Sequence, residues 1–370
     1  MGQFPRSTVA QWSSSRLGGI SRKGTTPAPG LSLMRTEGRL LALCARTTVS
    51  EFVRVEVADL ACDGIDWELV WQLSRAHGVA PLVYRNLVTI CPAAVPSSIH
   101  EAFRRHNQAN ALLNSLLAKE LVTLLDALAA KGVTAIPFKG VTLAQTAYGD
   151  LGLRECADID LIVEQGAIPQ ARKVLWSQGY QLTSQDMGGG EESGEPYHFF
   201  QRRNGIVAVD LQWMMARRHF GFRLDRSAFW GRLKPVHLPT KSVMGLCPED
   251  LLILLCVHGA KHAWEQLKWV CDVAELVRRR PALDWSRVLF QAGEWRCRRL
   301  VLLGLAEVVL DDARGVSEFL RFGLSGLRRR RKVDVRGRRH EDLEEFAIAF
   351  ERARSGPGVA GAAAAAVGGS

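Results

Sequence analysis

No stretch of this 370-residue chain is apolar for long enough to cross a membrane. The run Leu251 to Val257 is far too short, and Val301 to Leu310 is broken by Glu307, whereas a spanning helix needs about 20 apolar residues. A soluble protein without a membrane partner is expected. The eight cysteines form neither a C-x-x-C pair nor a tight cluster, which argues against a zinc knuckle or a disulfide framework. Cys256 and Cys271 lie inside apolar helical runs and read as buried free thiols in a reducing cytoplasm. Also missing are a Walker loop, an H-E-x-x-H helix, any legible Ser/His/Asp or Cys/His constellation, and any internal repeat. No acidic residue precedes Glu37. The Arg-, Ser-, Gly- and Pro-containing residues 1–34 read as a disordered arm or a start placed before Met34; the composition would also suit a transit peptide.

What is present is an ordinary globular composition, 47% hydrophobic and 23% charged, with an uneven charge. Of the net +10, eight Lys/Arg against one Asp place +7 between Leu327 and His340. Such a local tract reads as solvated tail, with nucleic-acid binding as the second reading. The Ala/Gly-rich end belongs to no core, so residues 326–370 are expected to be disordered.

The periodicity divides the rest. Residues 35–133 are helical in pattern, with Asp66 placed to cap one helix and Gly132 to end a long one. Residues 134–240 change period. "VTAIPF" reads as a strand, Lys139-Gly140 as a turn into a helix through Tyr148, and "ADIDLIV" as a second strand. "IPQARKVLWSQGY" follows as a helix, and "HFFQRRNGIVAVDLQW" as a hairpin turning at Asn204-Gly205. The glycine cluster in "MGGGEESGEP" reads as a mobile loop. Residues 241–325 are helical again. The fold class is therefore α+β, a small mixed sheet between two helical regions.

Asp158 and Asp160 are the anomaly. Two apart in a strand, they would share a face opposite Ile159, Leu161 and Val163. Adjacent buried carboxylates repel and cost several kcal/mol by order of magnitude, unless a cation joins them. Hard oxygen donors at this spacing suit Mg²⁺. Asp210, in "IVAVDLQW", is a third acid in an apolar strand. The plainer reading is a strand edge with solvated acids. The Lys139-Gly140 turn would present backbone N–H groups and a positive charge to phosphate, with Arg154 nearby; an ordinary turn with a solvated Lys is the plainer reading there. His258 and His262 share a helix face, as zinc ligands, as satisfied structural histidines, or, with Lys261, as reaching a phosphate or base.

Strand, glycine turn, helix, D-h-D strand and third acid together resemble the polymerase-β-like nucleotidyltransferase superfamily. Over about residues 36–310, "GIDWELVWQLSRAHGVAPLVYRNL", "GVTAIPFKGVTLAQTAYGDLGLRECADIDLIV", "VAVDLQW" and "HGAKHAWEQLKWVCDVAEL" resemble the bacterial uncharacterised nucleotidyltransferases. The resemblance implies Mg²⁺- or Mn²⁺-dependent transfer of a nucleotidyl group from an NTP to the hydroxyl of an unidentified small molecule, peptide or protein. It implies Asp158, Asp160 and Asp210 as catalytic metal ligands, and Lys139, Gly140, Thr142, Arg154 and Lys261 on the nucleotide. Three departures stand out, the first being a Gly140-to-Asp158 gap longer than the superfamily norm. Val141 follows Gly140 where the superfamily has Gly or Ser, and Gln212 replaces a histidine frequent in near relatives. A catalytically idle binding or regulatory protein, or a nucleic-acid-binding member of a toxin–antitoxin pair, are the alternatives.

Overall fold

The structure, a computed structural model, describes residues 36–62, 64–183, 197–202, 205–213 and 227–314. The expected N-terminal arm, the basic tail, the "MGGGEESGEP" loop and Asn204 lie outside the described residues.

Five helices come first among the described residues: α1 (Thr36–Cys44), α2 (Glu51–Ala61), α3 (Trp67–Ala76), α4 (Ala80–Ile90) and α5 (Ser97–Ala129). Asp66 caps α3 as its position predicts, accepting from the Leu69 N–H at 3.0 Å. Gly132, three residues beyond α5, has φ +71°, and the first strand follows it. That strand, β1 (Ala135–Pro137), leads into α6 (Gly140–Leu143) and a π-helical turn (Ala144–Tyr148). Then come β2 (Ile159–Val163), α7 (Ile168–Ser177), β3 (Tyr180–Leu182), β4 (Tyr197–Arg202) and β5 (Ala208–Gln212). The order across the sheet is β1-β2-β5-β4-β3. Among the described residues β2 and β5 run parallel; the other pairs of this sheet are antiparallel, including the expected β4–β5 hairpin.

The alternation read from the sequence holds on β2 from Ile159 onward. Ile159, Leu161 and Val163 join Val209 and Leu211 of β5 in a core completed by Leu117, Leu121, Leu124 and Leu128 of α5 and Val174 and Leu175 of α7. Asp160 and Asp210 fall on the other face. One expectation is corrected: β2 begins at Ile159, so Asp158 sits in the bend before the strand rather than within it.

After α8 (Ser227–Trp230) a two-stranded hairpin, β6 (Lys234–His237) and β7 (Ser242–Gly245), packs near β1. Four helices complete the described chain: α9 (Pro248–Lys261), α10 (Leu267–Arg279), α11 (Trp285–Glu294) and α12 (Arg298–Arg314). α9 is buried almost all round, which accounts for its uniformly apolar Leu251–Val257. No helix among the described residues is long and apolar enough to cross a membrane. All eight cysteines are free thiols, and six are buried.

Candidate functional site

Two loops and two strands bring the acids together. Asp160 and Asp210 are partners in register across the parallel β2–β5 pair, so both carboxylates leave the sheet side by side. Gln212, two residues beyond Asp210 and on the same face, ties them. Its Nε2 donates to Asp210 Oδ2 at 2.7 Å and to Asp160 Oδ1 at 3.2 Å. The other oxygen of Asp210, Oδ1, is buried and has no hydrogen-bond partner among the described residues.

The Lys139-Gly140 turn closes over this face. The Phe138 N–H donates to the Asp160 carbonyl at 3.1 Å, and the Lys139 ammonium lies 2.8 Å from Asp160 Oδ1. Gly140 has φ +56°, and a Cβ there would come 3.3 Å from the Asp158 carbonyl, so the turn admits a side chain only with strain. The Thr142 hydroxyl donates to the Lys139 carbonyl at 2.7 Å and braces the turn from inside.

The electrostatics follow from this crowding. Burial, then the Asp160 charge, push Asp210 up to about 7. Burial also raises Asp160, against the pull of Lys139. Burial disfavours the Lys139 charge, but Asp160, Asp158 and Asp210 outweigh it and hold the ammonium above its ordinary value. Two carboxylates, one with an orphaned oxygen, and a lysine in ion pair describe a place built for positive charge.

The donor chemistry fits a divalent ion, since both carboxylates are hard oxygen ligands and Asp210 Oδ1 lacks a partner. Among the described residues, no three His, Cys, Asp or Glu side chains converge as a complete ligand set. Asp160 and Asp210 are the converging pair, and Asp158 stands just before them in the bend.

The remaining residues expected on the nucleotide fall in different places. Arg154 is buried and faces Asp272 of α10, with Nε to Oδ1 at 2.7 Å and Nη2 to Oδ2 at 2.9 Å. The Tyr148 hydroxyl donates to the same carboxylate at 2.7 Å. Arg154 therefore anchors the segment that leads to the acids. Lys261 is exposed at the end of α9, on the helix that carries His258. His258 meets Phe138 edge-on, with ring centroids 6.4 Å apart, and stands against His262 at 4.7 Å. Burial, then the charges of Lys139, His262, Lys261 and Arg154, hold His258 well below its ordinary value. His258 and His262 share a face as their spacing predicts, with Trp269 stacked on His262. No third zinc ligand joins them among the described residues.

Four contributors escaped the sequence reading as partners. Gln212 was visible only as a substitution. Asp272, an acid inside the apolar stripe "KWVCDVAEL", carried a signal of the same kind as Asp210. Asn110 and Asn114, both fully buried on one face of α5, donate to the carbonyls of Gly152, Leu151 and Arg154. They fix the approach to the acids, and polar residues in a helix's buried stripe were their trace.

The sequence profile of the family described as uncharacterised nucleotidyltransferase matches residues 63–309, well over half of the chain. The chain belongs to this nucleotidyltransferase family. The matched span includes every residue of the site just described. Among solved structures, an antigenic nucleotidyltransferase-like protein from Paracoccidioides brasiliensis is similar at 15% identity with a TM-score of 0.35, over 56% of this chain and 92% of that one. A search among curated proteins finds no match for this family member.

Proposed function

We propose that this chain transfers a nucleotidyl group from an NTP to the hydroxyl of an acceptor, with pyrophosphate as the second product. The observation that carries the reading is the Asp160–Asp210 pair, in register on parallel strands, bridged by Gln212 and holding one buried oxygen without a partner. Family membership and the resemblance to the polymerase-β-like superfamily support it. Residues 134–240 form the transfer core in this reading, between the flanking regions 35–133 and 241–325. The free thiols suit a reducing cytoplasm.

Asp160 and Asp210, joined by Asp158, are the residues that would hold Mg²⁺ or Mn²⁺, which when bound offsets triphosphate charge and activates an attacking oxygen. The chain's own groups do the rest. Gly140 offers a backbone N–H with no side chain in the way, and the Lys139 ammonium supplies positive charge beside it. Thr142 and Arg154 hold the turn and the acid-bearing segment in place, the one through the Lys139 carbonyl and the other through Asp272. Lys261 adds charge at the end of α9. The acceptor oxygen bonds to the α-phosphorus while the bond from that phosphorus to the β-bridging oxygen breaks. Asp210 takes the acceptor's proton.

Asp210→Asn keeps the shape of the side chain and removes its basicity. Transfer of labelled nucleotide should fall roughly 10²–10⁴-fold, the usual worth of a general base, while NTP affinity measured by calorimetry, for which Asp158 and Asp160 would suffice, changes far less. Transfer at wild-type rate would refute the assignment and favour an idle binding protein on the same scaffold.

A further inference from the structure

A cavity of about 600 Å³ opens at the C-terminal end of α10, lined by none of the acids above. Its size is that of a small-molecule site. Glu275 lies in its wall, with a side chain 1% exposed, and its oxygens are already engaged. They accept from the Thr47 N–H at 3.1 Å, from the Thr47 hydroxyl, and from Arg278 at 2.7 Å. Glu275 thus balances Arg278. The next two residues, Arg279 and Arg280, also line the cavity, are exposed, and have no carboxylate partner among the described residues.

Arg279 is seated rather than free-swinging. Its guanidinium lies over Gly149, where a Cβ would come within 2.6 Å of Nη2. Facing the arginines is the π-helical turn, whose Gln145 and Thr146 line the cavity with side chains that make no hydrogen bond among the described residues. Single π turns within helices recur at functional sites. His237 of β6 adds a further polar wall. A helix C-terminus attracts arginine on its own account. That attraction does not explain a cavity, two unbalanced guanidiniums and opposing neutral donors in one place.

We propose that this cavity binds a small polyanion, a molecule carrying at least two phosphate or carboxylate groups, with Arg279 and Arg280 on the anionic groups and Gln145 and Thr146 on its neutral oxygens. Guanidinium is the group best matched to both anions, through paired N–H donors. The site stands independently of the nucleotidyl-transfer reading.

Calorimetry in metal-free buffer, where the acids of the transfer site repel anions, tests it. Inorganic pyrophosphate serves as the phosphate probe, citrate as the carboxylate probe and glycerol as the uncharged control. One of the two anions should bind with a 1:1 stoichiometry, and its identity separates phosphate from carboxylate ligands. Arg279→Gln with Arg280→Gln should weaken that binding by about tenfold or more, the scale of one or two charge-assisted hydrogen bonds. Thr146→Val, nearly isosteric, should weaken it several-fold without lowering Tm. Absence of binding by either anion overturns the proposal. So does binding that ignores the arginine variants, or binding that Thr146→Val leaves unchanged and that 0.15 M salt alone removes, the mark of plain surface attraction.

Discussion

Lys139 and Asp160 form an ion pair that is almost wholly buried, with side chains 13% and 3% exposed. Such a pair is worth little against a hydrophobic replacement, but breaking it by removing one partner costs about 3–5 kcal/mol. The ammonium stands where positive charge is needed by both carboxylates, because Gln212 already links Asp160 to Asp210. Lys139→Gln should therefore lower Tm in metal-free buffer by roughly 2–4 °C for each kcal/mol lost. Added Mn²⁺, without nucleotide, should restore more of that Tm than it adds to the wild type, since the freed carboxylate gains a cation. Equal stabilisation of the two proteins by Mn²⁺ would show that the lysine and the ion do not share a place. The residue chemistry here was half legible in the sequence. Two acids two apart in an apolar run announce a need for cation, but nothing local shows that a lysine twenty-one residues earlier supplies it.

At the scale of elements, the sequence marks what local physics controls. Asp66, Gly132 and the three- and four-residue apolar spacing identify helices because capping and amphipathicity are local. The Ile159-Leu161-Val163 stripe identifies the buried face of β2 because strand alternation is local too. The π turn after Leu143, the short β3 and the β6–β7 hairpin escaped, since elements of three to five residues owe their form to the neighbours they pack or pair with. Arg154 shows the same limit. Its position just upstream of the acids suggests a phosphate ligand, and its partner Asp272 lies 118 residues away. Asp272→Asn should destabilise by about 3–5 kcal/mol by leaving a buried guanidinium short of charge. A triple variant, Arg154→Met with Asp272→Leu and Tyr148→Phe, removes the guanidinium, the carboxylate and the hydroxyl together and should recover most of that loss in chemical denaturation. NTP affinity should survive in the triple variant. Its loss in a folded protein would place Arg154 on the nucleotide after all.

The whole molecule separates two kinds of positive charge. The chain carries +10, and the tract between Leu327 and His340 accounts for +7, leaving +3 elsewhere. That tract lies outside the described residues, and outside the 63–309 span that carries the family match. The positive groups of the proposed transfer site and cavity, Lys139, Arg279 and Arg280, lie inside that span and act on small anions at fixed geometry. A dense basic tract instead attracts polyanions through counterion release, a contribution that falls steeply with salt and needs no pocket. Truncation after Gly326 should therefore leave nucleotidyl transfer and pyrophosphate or citrate binding intact. Any affinity for RNA or DNA should drop, and its dependence on salt should flatten, by about 0.7–0.9 in log–log slope for each phosphate no longer neutralised. Measuring transfer and nucleic-acid affinity on the same truncated preparation separates the outcomes. Transfer that disappears while the thermal transition is unchanged would make the tract part of the reaction machinery, and nucleic acid rather than a small molecule would then become the acceptor to test first.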